Sequence, residues 1–121
     1  MSDQAKLESL LERIKAFNQA RDWSQFHNPK DLAISLSLEA SEVLEHFLWK
    51  NPDEIKEHLH IRKSEVSDEL ADVFYNVLLM CQYFNIDIIA ATHAKMDKNE
   101  LKYPVNKAKS SHAKYTEYGK S

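Results

Sequence analysis

Glu39, Glu42 and Glu45 stand three residues apart in "SLSLEASEVLEH" (Ser35 to His46), and Glu69 and Asp72 repeat that spacing in "EVSDELADVFYNV" (Glu65 to Val77). Both stretches are otherwise strongly apolar. Like charges at this spacing repel on a helix, and carboxylates bordering a core lose solvation. Something has to offset that cost. At roughly 100° per residue, with Glu39 at zero, Leu32, Leu36, Val43 and Phe47 fall at about +20° to +80°. Glu39 therefore edges an apolar stripe, while Glu42 and Glu45 step away from it. In the second stretch Val66, Leu70, Val73, Phe74, Val77 and Cys81 make the stripe, flanked by Glu65, Glu69, Asp72 and Asn76. Packing the two stripes together brings the acidic edges face to face. Carboxylates gathered in a half-buried site cannot all stay charged and unpaired. An oxygen-only ligand set suits a hard divalent cation, Mg²⁺ or Mn²⁺. Either pair alone reads equally well as a solvated face; two pairs, both on stripe edges, point to a metal site between helices.

The elements that must hold these groups are helical. Leu7, Leu10, Leu11, Ile14 and Phe17 repeat at helical spacing, which predicts a first helix over about 3–20. Asn28 followed by Pro29 is a start signal for a second helix, running to about Trp49, and Asn51–Pro52 repeats that signal for a third region ending near Phe84. The third region has a candidate break around "HLHIRKS". Asp87 can cap a fourth helix through about Leu101, and Pro104 is a stop. The segment "LAISLSL" alternates like a strand, but no other segment alternates to pair with it, so it reads as helix. The domain expectation is a helical domain over 1–103 and an extended or mobile basic tail over 104–121.

Composition narrows the classes. A chain of 121 residues with one Gly and three Pro favours long helices and few turns. Cys81 is alone and lies in an apolar run, the setting of a buried structural thiol. No apolar run approaches the ~20 residues of a membrane span and the N-terminus is polar, so the expectation is a cytoplasmic protein with no membrane partner. Residues 1–94 hold 9 Lys and Arg against 16 Asp and Glu, a balance of −7, whereas residues 95–121 hold 7 Lys against 3 acids, a balance of +4. An acidic body wants cations and a basic end wants phosphate or an acidic neighbour. There is no Gly-rich phosphate loop, no nucleic-acid-binding signature, and a single Glu-x-x-His where a di-iron bundle needs two. His58 and His60, two apart, fall on different faces of a helix and do not suggest zinc.

With both acidic pairs in view, the chain resembles the MazG-type nucleoside triphosphate pyrophosphohydrolases, in their small dCTP pyrophosphatase-like branch. The likeness covers about residues 17–118 and rests, in order, on "RDWSQFHNPKDLA", "EASEVLEHFLWK", "DELADV", "KMDKNELKYP" and "KYTEY". It implies an all-α, four-helix-bundle-like fold assembled into a homo-oligomer; the apolar residues of the second helix left off its main stripe, Ile34, Leu38, Leu44 and Leu48, lead us to expect a homodimer at least, built up as a dimer of dimers. It further implies Mg²⁺-dependent cleavage of a deoxynucleoside triphosphate to a monophosphate and pyrophosphate, a nucleotide-pool housecleaning reaction with dCTP the first substrate; Asn76, where the branch commonly has Tyr, is expected to relax that choice, so that dATP or another deoxynucleotide also reacts. Glu39, Glu42, Glu69 and Asp72 match the metal ligands of the family. Lys95, Asn99 and Tyr103 match positions that reach phosphates and sugar, and Trp23 and Trp49 match aromatics that enclose the base. Asn76 stands at a substrate-facing position where the branch commonly has Tyr, and Ile14 where some relatives have His. Glu42, then Glu45, is the expected group for positioning or deprotonating the attacking water, since both step off the apolar edge toward solvent. The competing reading is a non-catalytic helical module whose acidic edges bind a basic partner.

Overall fold

The computed structural model describes residues 1–119, and every regular element in them is a helix. The first helix, α1 (Asp3–Ala20), is capped by Ser2, whose hydroxyl accepts from the Ala5 amide at 3.1 Å. A 3-10 turn over Ser24–Phe26 leads to α2 (Pro29–Glu45), where the Asn28 side chain accepts from the Asp31 amide at 2.9 Å. These caps satisfy amides that have no partner inside the helix. The long α3 (Pro52–Phe84) opens on a reciprocal box, with Asn51 accepting from the Glu54 amide and the Glu54 carboxylate accepting from the Asn51 amide. Arg62 has non-helical backbone angles, so α3 bends within the segment where the sequence suggests a break. Asn85 ends it in the left-handed region at φ 56°, a conformation Asn tolerates better than most residues.

The chain divides into two compact units, Met1–Asn85 and Ile86–Ser121. In the first, α2 lies along α3 and α1 packs on α3. Its core is Ile14, Leu32, Val66, Leu78, Leu79 and Cys81, with Leu78 fully enclosed. Two polar side chains are buried with them, Asn18 and Asn76. Asn18 donates to the Ile14 carbonyl at 2.9 Å and to the Tyr75 hydroxyl at 3.0 Å, so α1 is pinned to α3 by a polar bond as well as by packing.

Two features differ from the helical projection. Leu70 and Phe74, placed on the stripe of α3 by periodicity, are about half exposed, whereas Asn76, placed on its flank, is buried. A helix covered by two neighbours buries more than one stripe, and the bend at Arg62 changes which face each neighbour meets. The second difference is the length of α2, which stops at Glu45; a turn then carries the chain through Trp49, at φ 60°, into α3.

The second unit contains α4 (Ile88–Lys102), capped by Asp87, and the short α5 (Val105–Ala108), followed by a 3-10 turn over Tyr115–Glu117. The extended reading of this end is therefore corrected. The Tyr103 ring packs edge-on against Tyr115 and Tyr118, at 6.0 and 5.9 Å between centroids, and Lys102 lies over Tyr115. An aromatic cluster of this kind orders a segment that lacks apolar periodicity. Lys120 and Ser121, the last positions of the expected tail, lie outside the described residues.

Candidate metal centre and adjoining cleft

Packing α2 along α3 brings the two acidic edges together. Single carboxylate oxygens of Glu39, Glu69 and Asp72 all lie within 4.8 Å of one another. Glu42 comes within hydrogen-bonding reach of both Glu39 and Glu69, a contact two carboxyls can make only if one is protonated. With all of them ionised, Glu39 Oε2 and Glu69 Oε2 are buried and have no partner. Such orphaned acceptors are costly.

The electrostatics follow. The Glu69 carboxyl is pushed up to about 7, first by its hydrogen bond with Glu42, then by desolvation and the charges of Glu42, Glu39 and Asp72. Glu39 is raised as well, chiefly by burial and then by Glu42 and Asp72. Two responses can relieve the strain, a proton or a cation. The donor set is all oxygen, converges from two helices and leaves buried acceptors open, so Glu39, Glu69 and Asp72 fit a hard divalent cation, while Glu42, expected as a fourth ligand, lies outside the set whose oxygens come within 4.8 Å of one another.

The centre adjoins two openings. Asp72 joins an apolar cleft of about 370 Å³, lined also by Leu10, Arg13, Ile14, Phe17, Trp23 and Tyr75. Trp23 stands edge-on to Phe17, which stands edge-on to Tyr75, with centroids 5.5 and 6.3 Å apart. The Arg21 guanidinium covers the Phe17 ring at 3.8 Å. Glu42 and Glu69 line a second opening of about 310 Å³ together with Glu45, His46, Lys50 and His58.

The remaining residues singled out in the sequence are dispersed. Trp49 is 97% exposed and lies outside both openings. Asn76 turns into its own helix, its Nδ2 donating to the Asp72 carbonyl at 2.8 Å, and so helps hold the backbone that carries Asp72. Its neighbour Tyr75 lines the cleft instead. In the second unit, Lys95 is exposed and Asn99 half-buried one turn along α4, and the Tyr103 amide closes that helix on the Asn99 carbonyl at 2.8 Å.

Two cleft residues were not visible in the periodicity. Tyr75 and Arg13 look like ordinary helix-surface residues, and only the pairing of Tyr75 with Asn18, 57 positions away, fixes the ring at the cleft. The His46–His58 contact, Nδ1 to Nε2 at 2.8 Å, was likewise hidden because the two residues sit on different helical segments.

The MazG-like family profile matches residues 34–118. The chain is similar to dCTP pyrophosphatase 1 of Homo sapiens, at 33% identity over 118 residues, covering 96% of this chain and 69% of that protein. The Mus musculus protein of the same name is 32% identical over the same shares. In structure it is similar to a pyrophosphatase from Archaeoglobus fulgidus, with a TM-score of 0.78 and 44% identity over 82% of this chain and 93% of that one.

Proposed function

The chain belongs to the MazG-like family, and we propose that it is a Mg²⁺-dependent nucleoside triphosphate pyrophosphohydrolase acting on deoxynucleotides. The observation that carries this reading is the carboxylate centre with its two orphaned buried oxygens, which shares Asp72 with an aromatic cleft. An acidic cradle repels a free triphosphate. When bound, a divalent cation would screen that charge, polarise a phosphoryl oxygen and lower the pKa of water.

The chain's own residues do the rest. Glu39, Glu69 and Asp72 would hold the cation from two helices. Glu42, which lines the second opening, would orient the attacking water and take its proton, with Glu45 the second choice. Bond cleavage between the α- and β-phosphates then gives a nucleoside monophosphate and pyrophosphate. Trp23, Phe17 and Tyr75 offer edges and faces to a base.

Substrate choice follows from how few polar groups the cleft presents. The Tyr75 hydroxyl is committed to Asn18, donating to Oδ1 at 3.2 Å while accepting from Nδ2. Stacking accepts many bases, whereas strict choice needs hydrogen bonds to a base edge. We expect dCTP to lead, another deoxynucleotide such as dATP to react as well, and ribonucleotides to trail. Pyrophosphate release across the eight common nucleoside triphosphates, as kcat/KM with Mg²⁺, measures this. Ribonucleotides equal to or better than their deoxy counterparts would refute the sugar preference, and no release from any would refute the activity.

Assembly is part of the proposal. Ile34, Leu38, Leu44 and Leu48 on α2 and the turn after it are 41–60% exposed, more apolar surface on one element than a monomer usually leaves in water. We expect a homo-oligomer, built as a dimer of dimers, that covers it. Light scattering at micromolar concentration should give a mass above one chain; a monomer would contradict the assembly.

A further inference from the structure

Resting on the reading that the aromatic cleft takes the base, we infer that Arg13 selects that base, by donating a parallel pair of hydrogen bonds to the adjacent O2 and N3 acceptors of cytosine. The cleft has few free polar groups to do this. Most of its lining is hydrocarbon, and Trp23 offers a single indole N–H. The Tyr75 hydroxyl is committed to Asn18 in both directions, and Asp72 belongs to the carboxylate centre. Arg13 is left as the cleft's source of paired donors.

Its guanidinium is also unengaged. The other arginines of the chain have partners: Arg21 donates to the Phe17 carbonyl at 3.0 Å and covers the Phe17 ring, and Arg62 pairs with Glu65 at 3.0 Å. Among the described residues the ion pairs are Lys6–Asp3 and Arg62–Glu65, so Arg13 has none, not even with Asp72 across the same cleft. It stands one turn from Leu10 and one from Phe17 on α1, on the face that forms a wall of the cleft. Being exposed, it stays hydrated while the cleft is empty. It gives up that water at no loss only to a ligand that returns both bonds.

A guanidinium is a planar fork whose parallel N–H groups match two acceptors side by side. Cytosine presents such a pair. Uracil keeps the ring and O2 but carries a hydrogen on N3, so one arm of the fork meets another donor. Adenine places an amino donor beside each acceptor on its exposed edges and is left to stacking, which accepts many bases. Guanine offers O6 and N7 to the fork, but on a larger ring; cytosine against uracil holds ring size fixed. The rival role for a free arginine beside a nucleotide is a phosphate clamp. The phosphates are drawn to the cation at the carboxylate centre, whereas Arg13 stands beside Leu10, Ile14 and Phe17, surfaces on which a base packs.

The test compares the full chain with R13A and R13K. It reads kcat/KM for dCTP and dUTP with Mg²⁺, calorimetric Kd for dCMP and dUMP, and melting temperature. Wild type should prefer the cytosine member of each pair. Each variant should lower the dCTP to dUTP ratio about tenfold to a hundredfold, the worth of hydrogen bonds to a charged group. R13K belongs with R13A because lysine keeps the charge and loses the fork. Losses shared equally by dCTP and dUTP would make Arg13 a phosphate clamp and overturn the proposal. So would an unchanged ratio, with or without a lower melting temperature, and so would a wild type indifferent between dCMP and dUMP. A wild-type ratio kept by R13K would overturn the paired bonds. Monophosphate binding needs no turnover, so a chain that hydrolyses neither triphosphate yet prefers dCMP through Arg13 would uphold the selection and overturn the reaction.

Discussion

Neutralising any one of Glu39, Glu42, Glu69 or Asp72, as E39Q, E42Q, E69Q or D72N, should lower kcat/KM about a hundredfold or more while leaving the helical fold intact. A bound cation supplies several kcal/mol of charge stabilisation, and each 1.36 kcal/mol is about tenfold in rate. The folded state should not suffer in parallel. These carboxyls crowd one another and leave Glu39 Oε2 and Glu69 Oε2 buried without partners, so an amide at one position removes repulsion. We expect the metal-free E69Q protein to melt at or above the wild-type temperature at neutral pH. Activity assays with circular-dichroism melts check both halves. Near-wild-type turnover in two of the four would dissolve the metal assignment, and a collapse of the fold in all four would show that the cluster is structural.

Removing the cation should have an effect of similar size, with a pH dependence of definite sign. Chelation should abolish turnover, and Mg²⁺ or Mn²⁺ should restore it. Glu69 is raised from the ordinary 4.5 to about 7 in the folded protein, through its hydrogen bond with Glu42, desolvation and the neighbouring charges. Between those values the folded chain keeps a proton that the unfolded chain has released. Its contribution to stability is therefore present below the lower value and lost as pH rises through the upper one. Glu39 shifts in the same direction. Metal-free protein should melt progressively lower from about pH 5 to about pH 8, and Mg²⁺ should raise the melting temperature more at the upper end, where it no longer competes with a proton. A metal-free melting temperature that rises across this window, or a cation effect larger in acid, would contradict the coupling of the four carboxyls.

The local features of this protein were legible in its sequence. Asn28, Asn51 and Asp87 each cap the helix their position announces. The spacing of Glu39, Glu42, Glu69 and Asp72 foretold that two helices would bring carboxyls together, because positions three and four apart share a helix face whatever the rest of the fold does. What periodicity could not supply is which face meets which neighbour. Leu70 and Phe74 lie on the predicted stripe yet remain half exposed, and Asn76 lies on its flank yet is buried. The bend at Arg62 and the packing of both α1 and α2 on α3 choose the buried faces, and those are contacts between segments far apart in the chain. Trp49 belongs to the same class. Its residue type suggested an enclosing aromatic, but the turn after Glu45 leaves it in water. Tyr75 reaches the cleft through Asn18 on another helix, and His46 meets His58 only because the chain reverses between α2 and α3. Helical spacing is a property of the backbone and is written in every turn, whereas these partnerships exist only after the helices have packed.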